Sequence, residues 1–554
     1  MGHHRRLFGV VLSVTAASLA CGGCGTAEGL PLPNESTGPL PGDDYVLVAR
    51  LAHVSDAHVI DEESPARLPF AKSLVPFAWR PYERYSAQLL DGIIRAINRY
   101  HEFENTIDFV VHTGDAVDNH QLNELRWFLD VFDGKMIDPC SGPDDRPPDR
   151  RGAPHLDAHT SFRAQGLYRR GVHGDGPSIP WYALAGNHER FALGVFPVVP
   201  SLLGDIHAPL PLPNRVGLFL PPFLDPLSSL AYAPITPAKP GLPLQPTLLT
   251  QIWPNAARRY YTPDEFVATH FDTVTGPPGH GFAADHPGRT WYSVSPVPGL
   301  RLIALDSSRP AVACPAGFYP EGAINAEQMV FLRCELAAAD DRGELVIVLT
   351  HHPSYRIHWT YGSAVSTDEF RATLNRHPCV IAHLVGHMHR NRVLSHGRYV
   401  EIETASTLDY PQEGRIVEVF KSDRDVQLRY WIFSHLPDDE ELESTADSEL
   451  AVDPLREMRQ MAFDLARDNP VIEGIVPPRE LIEGGVGVVT DVITGIGGEI
   501  TSLGEDLSDA TGGLAGTVSE AVDPSLKADV AARARMAKSG SPDDRAGVII
   551  LPRR

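Results

Sequence analysis

Five apolar runs in this chain each break off into a short cluster of oxygen- and nitrogen-bearing side chains. Val46 to Val54 runs into Ser55-Asp56-Ala57-His58, and Ile107 to Val111 into His112-Thr113-Gly114-Asp115-Ala116-Val117-Asp118-Asn119. Ile179 to Ala185 runs into Gly186-Asn187-His188-Glu189. Leu345 to Leu349 runs into Thr350-His351-His352-Pro353, and Val380 to Val385 into Gly386-His387-Met388-His389. Short apolar runs bounded by turn residues read as buried strands. Side chains two apart on a strand share a face, so Asp56 and His58 can converge where the strand gives way to loop.

Helical spacing separates these runs. Leu89, Leu90, Ile93, Ile94 and Ile97 place a helix over residues 82–101, and Asn325 to Ala339 reads as another. Leu300 to Leu305, ending in Asp306-Ser307-Ser308, has a strand pattern, and Tyr399 to Thr404 and Arg415 to Tyr430 read as closing strands. Alternating strands and helices with polar clusters at strand ends describe an α/β protein whose site lies along one sheet edge.

Asp56, His58, Asp115, Asn187, His351, His387 and His389 together offer seven oxygen or nitrogen ligands. Two divalent ions about 3.5–4 Å apart, sharing one carboxylate, need this many. Cysteine is absent from the set, which disfavours a structural zinc site. The glycines before Asp115, Asn187 and His387 allow tight turns where ligands must meet.

The order Asp-x-His, Gly-Asp-x-x-Asp, Gly-Asn-His-Glu, His-His-Pro, Gly-His-x-His resembles the calcineurin-like metallophosphoesterase superfamily, in particular exported bacterial members with long insertions. All five blocks occur in order between residues 54 and 389. The resemblance implies a four-layer sandwich of two mixed β-sheets flanked by helices, carrying long Pro-rich insertions and a C-terminal extension. It implies that Asp56, His58 and His389 hold one metal, that Asn187, His351 and His387 hold a second, and that Asp115 bridges them. A metal-bridging hydroxide would attack the phosphorus of a phosphate mono- or diester. His188 would protonate the leaving oxygen, with Asp118 orienting it. Purple acid phosphatases resemble this pattern but place tyrosine where Asp118 stands, so an iron–tyrosinate site is not expected. Manganese, iron and zinc all suit the remaining donors. The alternative is a non-catalytic metal-binding scaffold or envelope protein on the same fold. His53, His112, His352 and His383, beside motif residues, read as packed neighbours or supports for the ligands.

The chain has 554 residues and a net charge of −23. Non-specific nucleic-acid binding needs a basic face, so no such surface is expected. A phosphoester small molecule or lipid remains compatible, since bound cations supply local positive charge. Residues 1–24 read as an export signal: Arg5-Arg6, an apolar run from Leu7 to Leu19, then small residues. Leu19-Ala20-Cys21 resembles a lipoprotein cleavage site, with Ser18 where leucine is expected, making Cys21 a lipidation candidate and membrane tether. His4-Arg5-Arg6-Leu7-Phe8 resembles a twin-arginine signal. The expected location is the bacterial cell envelope or the medium. Residues 25–43 read as a linker and 44–436 as the enzyme domain, with insertions at about 136–178 and 190–300. Residues 437–554 read as a loosely ordered, partly low-complexity extension in which Pro454 to Asp468 looks helical. Cys140, Cys314, Cys334 and Cys379 remain in the body, and their pairing is open between disulfides and free thiols.

Overall fold

The computed structural model describes residues 41–62, 64, 80, 82–103, 105–139, 141, 161–167, 178–192, 194, 196–197, 215–218, 249–252, 255–308, 321–358, 363–435, 454–468 and 537–552. The leader, Cys21, Cys140, Cys314, most of the 136–178 insertion and residues 469–536 lie outside them. Among the described residues no helix is long and apolar enough to cross a membrane.

Two six-stranded sheets organise the chain. The first contains β1 (Val46–Val54), β2 (Phe109–His112) and β3 (Trp181–Ala183). The second contains β4 (Tyr292–Val297), β5 (Leu300–Ala304), β6 (Leu345–Leu349), β7 (Val380–Val385), β8 (Arg392–Ser395) and β9 (Val400–Glu403). The first is completed by β10 (Glu413–Lys421), β11 (Asp425–Ser434) and β12 (Ala546–Pro552). The spatial orders are β12-β11-β10-β1-β2-β3 and β4-β5-β6-β7-β9-β8. β1, β2 and β3 run parallel, as do β5, β6, β7 and β9, while the remaining pairs are antiparallel. Both sheets are therefore mixed.

Alternation explains why the central strands read as continuous apolar runs: both faces are covered. Leu302, Ala304, Ile347 and Leu349 of the second sheet join Leu51, Val54 and Val110 of the first in one continuous core cluster. Ile303, Val346 and Val348 face the other way, onto α4 (Ala326–Arg342) and α5 (Thr367–Arg376), through Met329, Leu332, Leu336, Phe370 and Leu374. On the first sheet α1 (Ser86–Phe103) and α2 (Leu122–Asp133) bury Leu90, Ile93, Ile94, Leu125 and Phe128 in the larger core. The helix α3 (Pro263–Thr269) contributes Phe266 and Val267. The result is the expected four-layer α/β sandwich.

Local signals set the helix ends. Asn325 caps α4 by accepting from Gln328 N, and Gly343, with φ of 65°, ends it. α2 starts on a capping box between Gln121 and Glu124.

Two stretches carry more packed structure than their composition suggests. Within residues 190–300, β4 is an edge strand, and Tyr261, Phe266 and Phe282 lie in the core. The many prolines and aromatics there hide a short capped helix and a strand from periodicity arguments. Beyond residue 436, the helix read over Pro454 to Asp468 is present and packed. α6 (Pro454–Asp468) packs Met458, Ala462 and Phe463 against Tyr82, Leu408 and Tyr410. β12 pairs with β11 over seven registered positions. Cys334 is an exposed free thiol and Cys379 a buried one.

Candidate metal centre

The parallel strands of both sheets point their C-terminal ends at one edge, where the ligand loops begin. Asp56 and His58 follow β1, Asp115 and Asp118 follow β2, and Asn187 to Glu189 follow β3. His351 follows β6, and His387 and His389 follow β7. The loops are tied to one another by backbone bonds. Asp56 N donates to Gly114 O, His58 N to Asp115 O and Gly386 N to His351 O, at 2.9–3.1 Å. His387 N donates to both oxygens of Asp56, which joins the two sheets at the site.

All seven expected ligands come together. Asp56 Oδ1 lies 3.3 Å from His389 Nε2 and 3.9 Å from both His58 Nε2 and His351 Nε2. Asp115 Oδ2 lies 3.0 Å from His351 Nε2 and 3.8 Å from His58 Nε2. Its carboxylate thus touches both halves of the cluster. Asn187 Oδ1 is 2.9 Å from His351 Nε2, and the Nε2 atoms of His58 and His389 are 3.1 Å apart. His387 groups with His351 through donor atoms within 4.8 Å of one another, and Asp56, His58 and His389 form a second such group.

Backbone geometry marks the same residues. Asp56, His58, Asp115, His387 and His389 all have positive φ, between 42° and 69°. Such conformations are costly for side chains with a Cβ, and they persist where surrounding structure over-determines them, commonly at functional sites. The three motif glycines differ in purpose. Gly114 has φ of 94°, as a turn requires. Gly186 and Gly386 supply room instead: a Cβ on Gly186 would strike Asp115 Oδ1, and one on Gly386 would strike Ser55 Oγ and Asp56 Oδ2.

Electrostatics fit a cation site. Burial pushes the Asp56 carboxyl up, but the charges of His389 and His351 and the His389 hydrogen bond outweigh it and hold it at about 2. Asp115 is held well below the usual carboxylate range by His351, His188 and His58 against the same burial. Burial opposes charge on His351 and His389, yet Asp115 and Asp56 raise them to about 9 and about 10. Deprotonated, these rings offer Nε2. His351 Nδ1 donates to Thr113 O at 2.8 Å, and His389 Nδ1 lies 2.6 Å from Asp409 Oδ2, the outer hydrogen bonds that orient metal-binding imidazoles. A nitrogen- and oxygen-only donor set with converging lone pairs fits transition-metal cations.

Sequence reasoning missed the outer supports. Asp409 also accepts from Arg80 and Tyr82, and Arg80 reaches Asp118. Their common position becomes visible only after folding, since no local motif links residues 80, 118 and 409. Buried Glu189 accepts from Gly186 N, Asp115 N and Val117 N and so fixes two ligand loops to each other. His188 sits at the rim, its ring 4.5 Å from that of His58. Its Nδ1 lies 2.6 Å from the backbone carbonyl of Asp118 and 3.7 Å from the carboxylate. The Asp118 carboxylate stands closer to His58, at 3.0 Å from Nδ1. His188 Nδ1 thus meets the Asp118 main chain more closely than the Asp118 carboxylate. His53 bonds Thr113 and Thr404, and His383 bonds Glu401 and Thr350. His112 packs edge-on against Phe128. His352 Nδ1 meets Ser307 Oγ at 2.9 Å. The first three are packed neighbours as expected, whereas His352 also falls within a metal-capable group with His351 and His387.

Among solved structures, a dimetal phosphatase from Danio rerio is similar at 13% identity and a TM-score of 0.36, over 71% of this chain and 98% of that one. A protein described as the anchor in the inner membrane complex of Plasmodium is similar at 10% identity and 0.28, over 69% and 84%. A Staphylococcus aureus protein assigned as a 5′-nucleotidase is similar at 12% and 0.30, over 74% and 58%. No curated protein matches the chain. The family model for calcineurin-like phosphoesterases matches residues 49–391, more than half of the chain and every ligand loop. The chain belongs to the calcineurin-like phosphoesterase family and is a metal-dependent phosphoester hydrolase.

Proposed function

We propose that this protein hydrolyses a small-molecule or lipid phosphate mono- or diester at a two-cation site. Asp56, His58 and His389 would hold one cation, Asn187, His351 and His387 the other, and Asp115 both. The observation that carries the reading is the meeting of seven donors from five strand ends of two sheets, five of them with left-handed backbone. Two cations bound there would make a shared water more acidic and neutralise charge on the phosphoryl oxygens.

The chain's own groups would do the rest. Burial of Asp56, Asp115 and His351 keeps bulk water off the ligand side of the cluster. His188 is anchored at Nδ1 on the Asp118 carbonyl. Its Nε2, 4.0 Å from Asp115 Oδ2, is left to carry a proton to the leaving oxygen. Its side chain is 16% exposed, enough for substrate to reach it.

Turnover of p-nitrophenyl phosphate and its bis ester, with manganese or zinc added, tests the proposal. His188→Ala is expected to keep its metal and lose about 10²–10⁴-fold in rate, most for poor leaving groups. Loss of metal in that variant would contradict the role given to His188. Bound metal with neither ester turned over would favour the scaffold or envelope reading. The arginine pair, apolar run and Cys21 support an exported, lipid-tethered location. Fractionation of a Cys21→Ser variant reads this directly, and an unchanged membrane fraction would refute the tether.

A further inference from the structure

The family match ends at residue 391, and the far C-terminal end of the chain is built against that residue. Asn391 closes the loop that carries His387 and His389, and it is buried. Its N–H donates to the carbonyl of Lys538 at 2.8 Å. Two residues on, Val393 N donates to Asp544 Oδ1 at 2.7 Å. Arg415, itself buried, donates to the Asp544 carbonyl at 2.6 Å and to Asn391 Oδ1 at 3.1 Å. Glu413 collects Asn391 Nδ2 at 2.6 Å, Arg545 NH2 at 3.0 Å and Arg459 NH2 at 3.2 Å. One carboxylate thus joins the ligand loop to both C-terminal pieces. Ser539 Oγ reaches Tyr410 OH at 3.2 Å, and Tyr410 follows Asp409, the partner of His389 Nδ1.

We infer that residues 537–552 form a clamp that holds the Gly386–Asn391 loop, with Asp544 and Arg545 as positioning residues for His387 and His389. This inference rests on the reading of those histidines as metal ligands. The physical reason lies in the backbone. His387 and His389 have φ of 69° and 50°, and left-handed residues with a Cβ relax unless their surroundings hold them. β9 and β7 fix one side of the loop. The clamp fixes the other: it is anchored by seven registered pairs to β11 and shaped by the Ser541–Asp544 capping box of α7 (Pro542–Arg545). Gly540 makes the close approach feasible, because a Cβ there would sit 2.6 Å from the Asn391 carbonyl oxygen. Cation affinity therefore depends on residues some 150 positions after the last ligand, outside the family's own motif.

The test uses full-length Gly540→Val and the Asp544→Asn/Arg545→Met double variant, neither of which alters a ligand. Two quantities are read: hydrogen exchange of the 386–393 amides without metal, and the Mn²⁺ dissociation constant. The expected result in both variants is faster exchange in that loop, with β1 and β2 unchanged, and Mn²⁺ binding weaker by about 10-fold or more, the usual cost of losing a ligand's support. Ile550→Ser, on the exposed face of β12, is expected to match the wild type. Unchanged exchange and unchanged affinity in both variants would overturn the inference, as would equal weakening in Ile550→Ser. If one variant does not fold, the other decides by the same criterion. A wild type that binds none of Mn²⁺, Zn²⁺ and Fe²⁺ refutes the metal reading alone, since loop exchange still reports on the clamp.

Discussion

Asp115 is the residue given the bridging role in the proposed centre. Its carboxylate lies within 3.0 Å of His351 and 3.8 Å of His58. Asp115→Asn keeps the shape and removes the shared charge. The expected outcome, read by titration with Mn²⁺ or Zn²⁺, is loss of both cations, with affinity down by at least about 10–100-fold. Weakening of one cation only would contradict the bridging role. Protonation follows from the same pairs. His351 and His389, raised to about 9 and about 10, carry protons at neutral pH in the metal-free protein. Cations must displace those protons, so binding strengthens as pH rises towards 9 and weakens as it falls. Calorimetry in buffers of different ionisation enthalpy is expected to show about two protons released at pH 7. Release of none would mean that the two rings are not ligands. At this scale the sequence was highly legible. Each of the seven donors follows an apolar run inside a short block, so local order was enough to draw Asp56, His58, Asp115, Asn187, His351, His387 and His389 into one candidate set. Arg80 and Asp409 act across long sequence separations and carry no local signature, whereas Glu189 closes the Gly-Asn-His-Glu block.

At the scale of elements, the strand ends do the positioning and small residues between them set the clearances. Gly386 is the sharpest case, with no space for a Cβ beside Ser55 and Asp56. Gly386→Ala is expected to displace Asp56, costing about 1–3 kcal/mol of stability and most of the cation affinity. Urea unfolding with a parallel Mn²⁺ titration checks both, and an unaltered affinity would show that Asp56 is not held by this contact. Strands with both faces buried were legible as apolar runs, and α1 by its helical period. α5 was not found, because only Phe370, Thr373 and Leu374 of its ten residues are buried, too few to show a period. β4 was hidden for a related reason: it is an edge strand whose residues are mostly half-exposed. β12 is likewise an edge strand, far from its partner in sequence. Its register is set by β11, which local pattern cannot reveal.

Over the whole molecule, two mixed sheets meet face to face and bring their parallel strand ends to one edge. Asp56 from the first sheet binds the backbone of His387 from the second, so the site exists only when the sandwich is closed. Fold class was legible because alternating strands and helices with polar strand ends leave few arrangements. The pairing of β12 was not, because a long stretch rich in glycine and small residues separates it from β11 in sequence. Anomalous diffraction from crystals grown with Mn²⁺ tests the central claim most directly. Two peaks are predicted in one cavity, the first among Asp56, His58 and His389, the second among Asn187, His351 and His387, with Asp115 touching both. A single peak, or peaks away from these residues, would contradict the account.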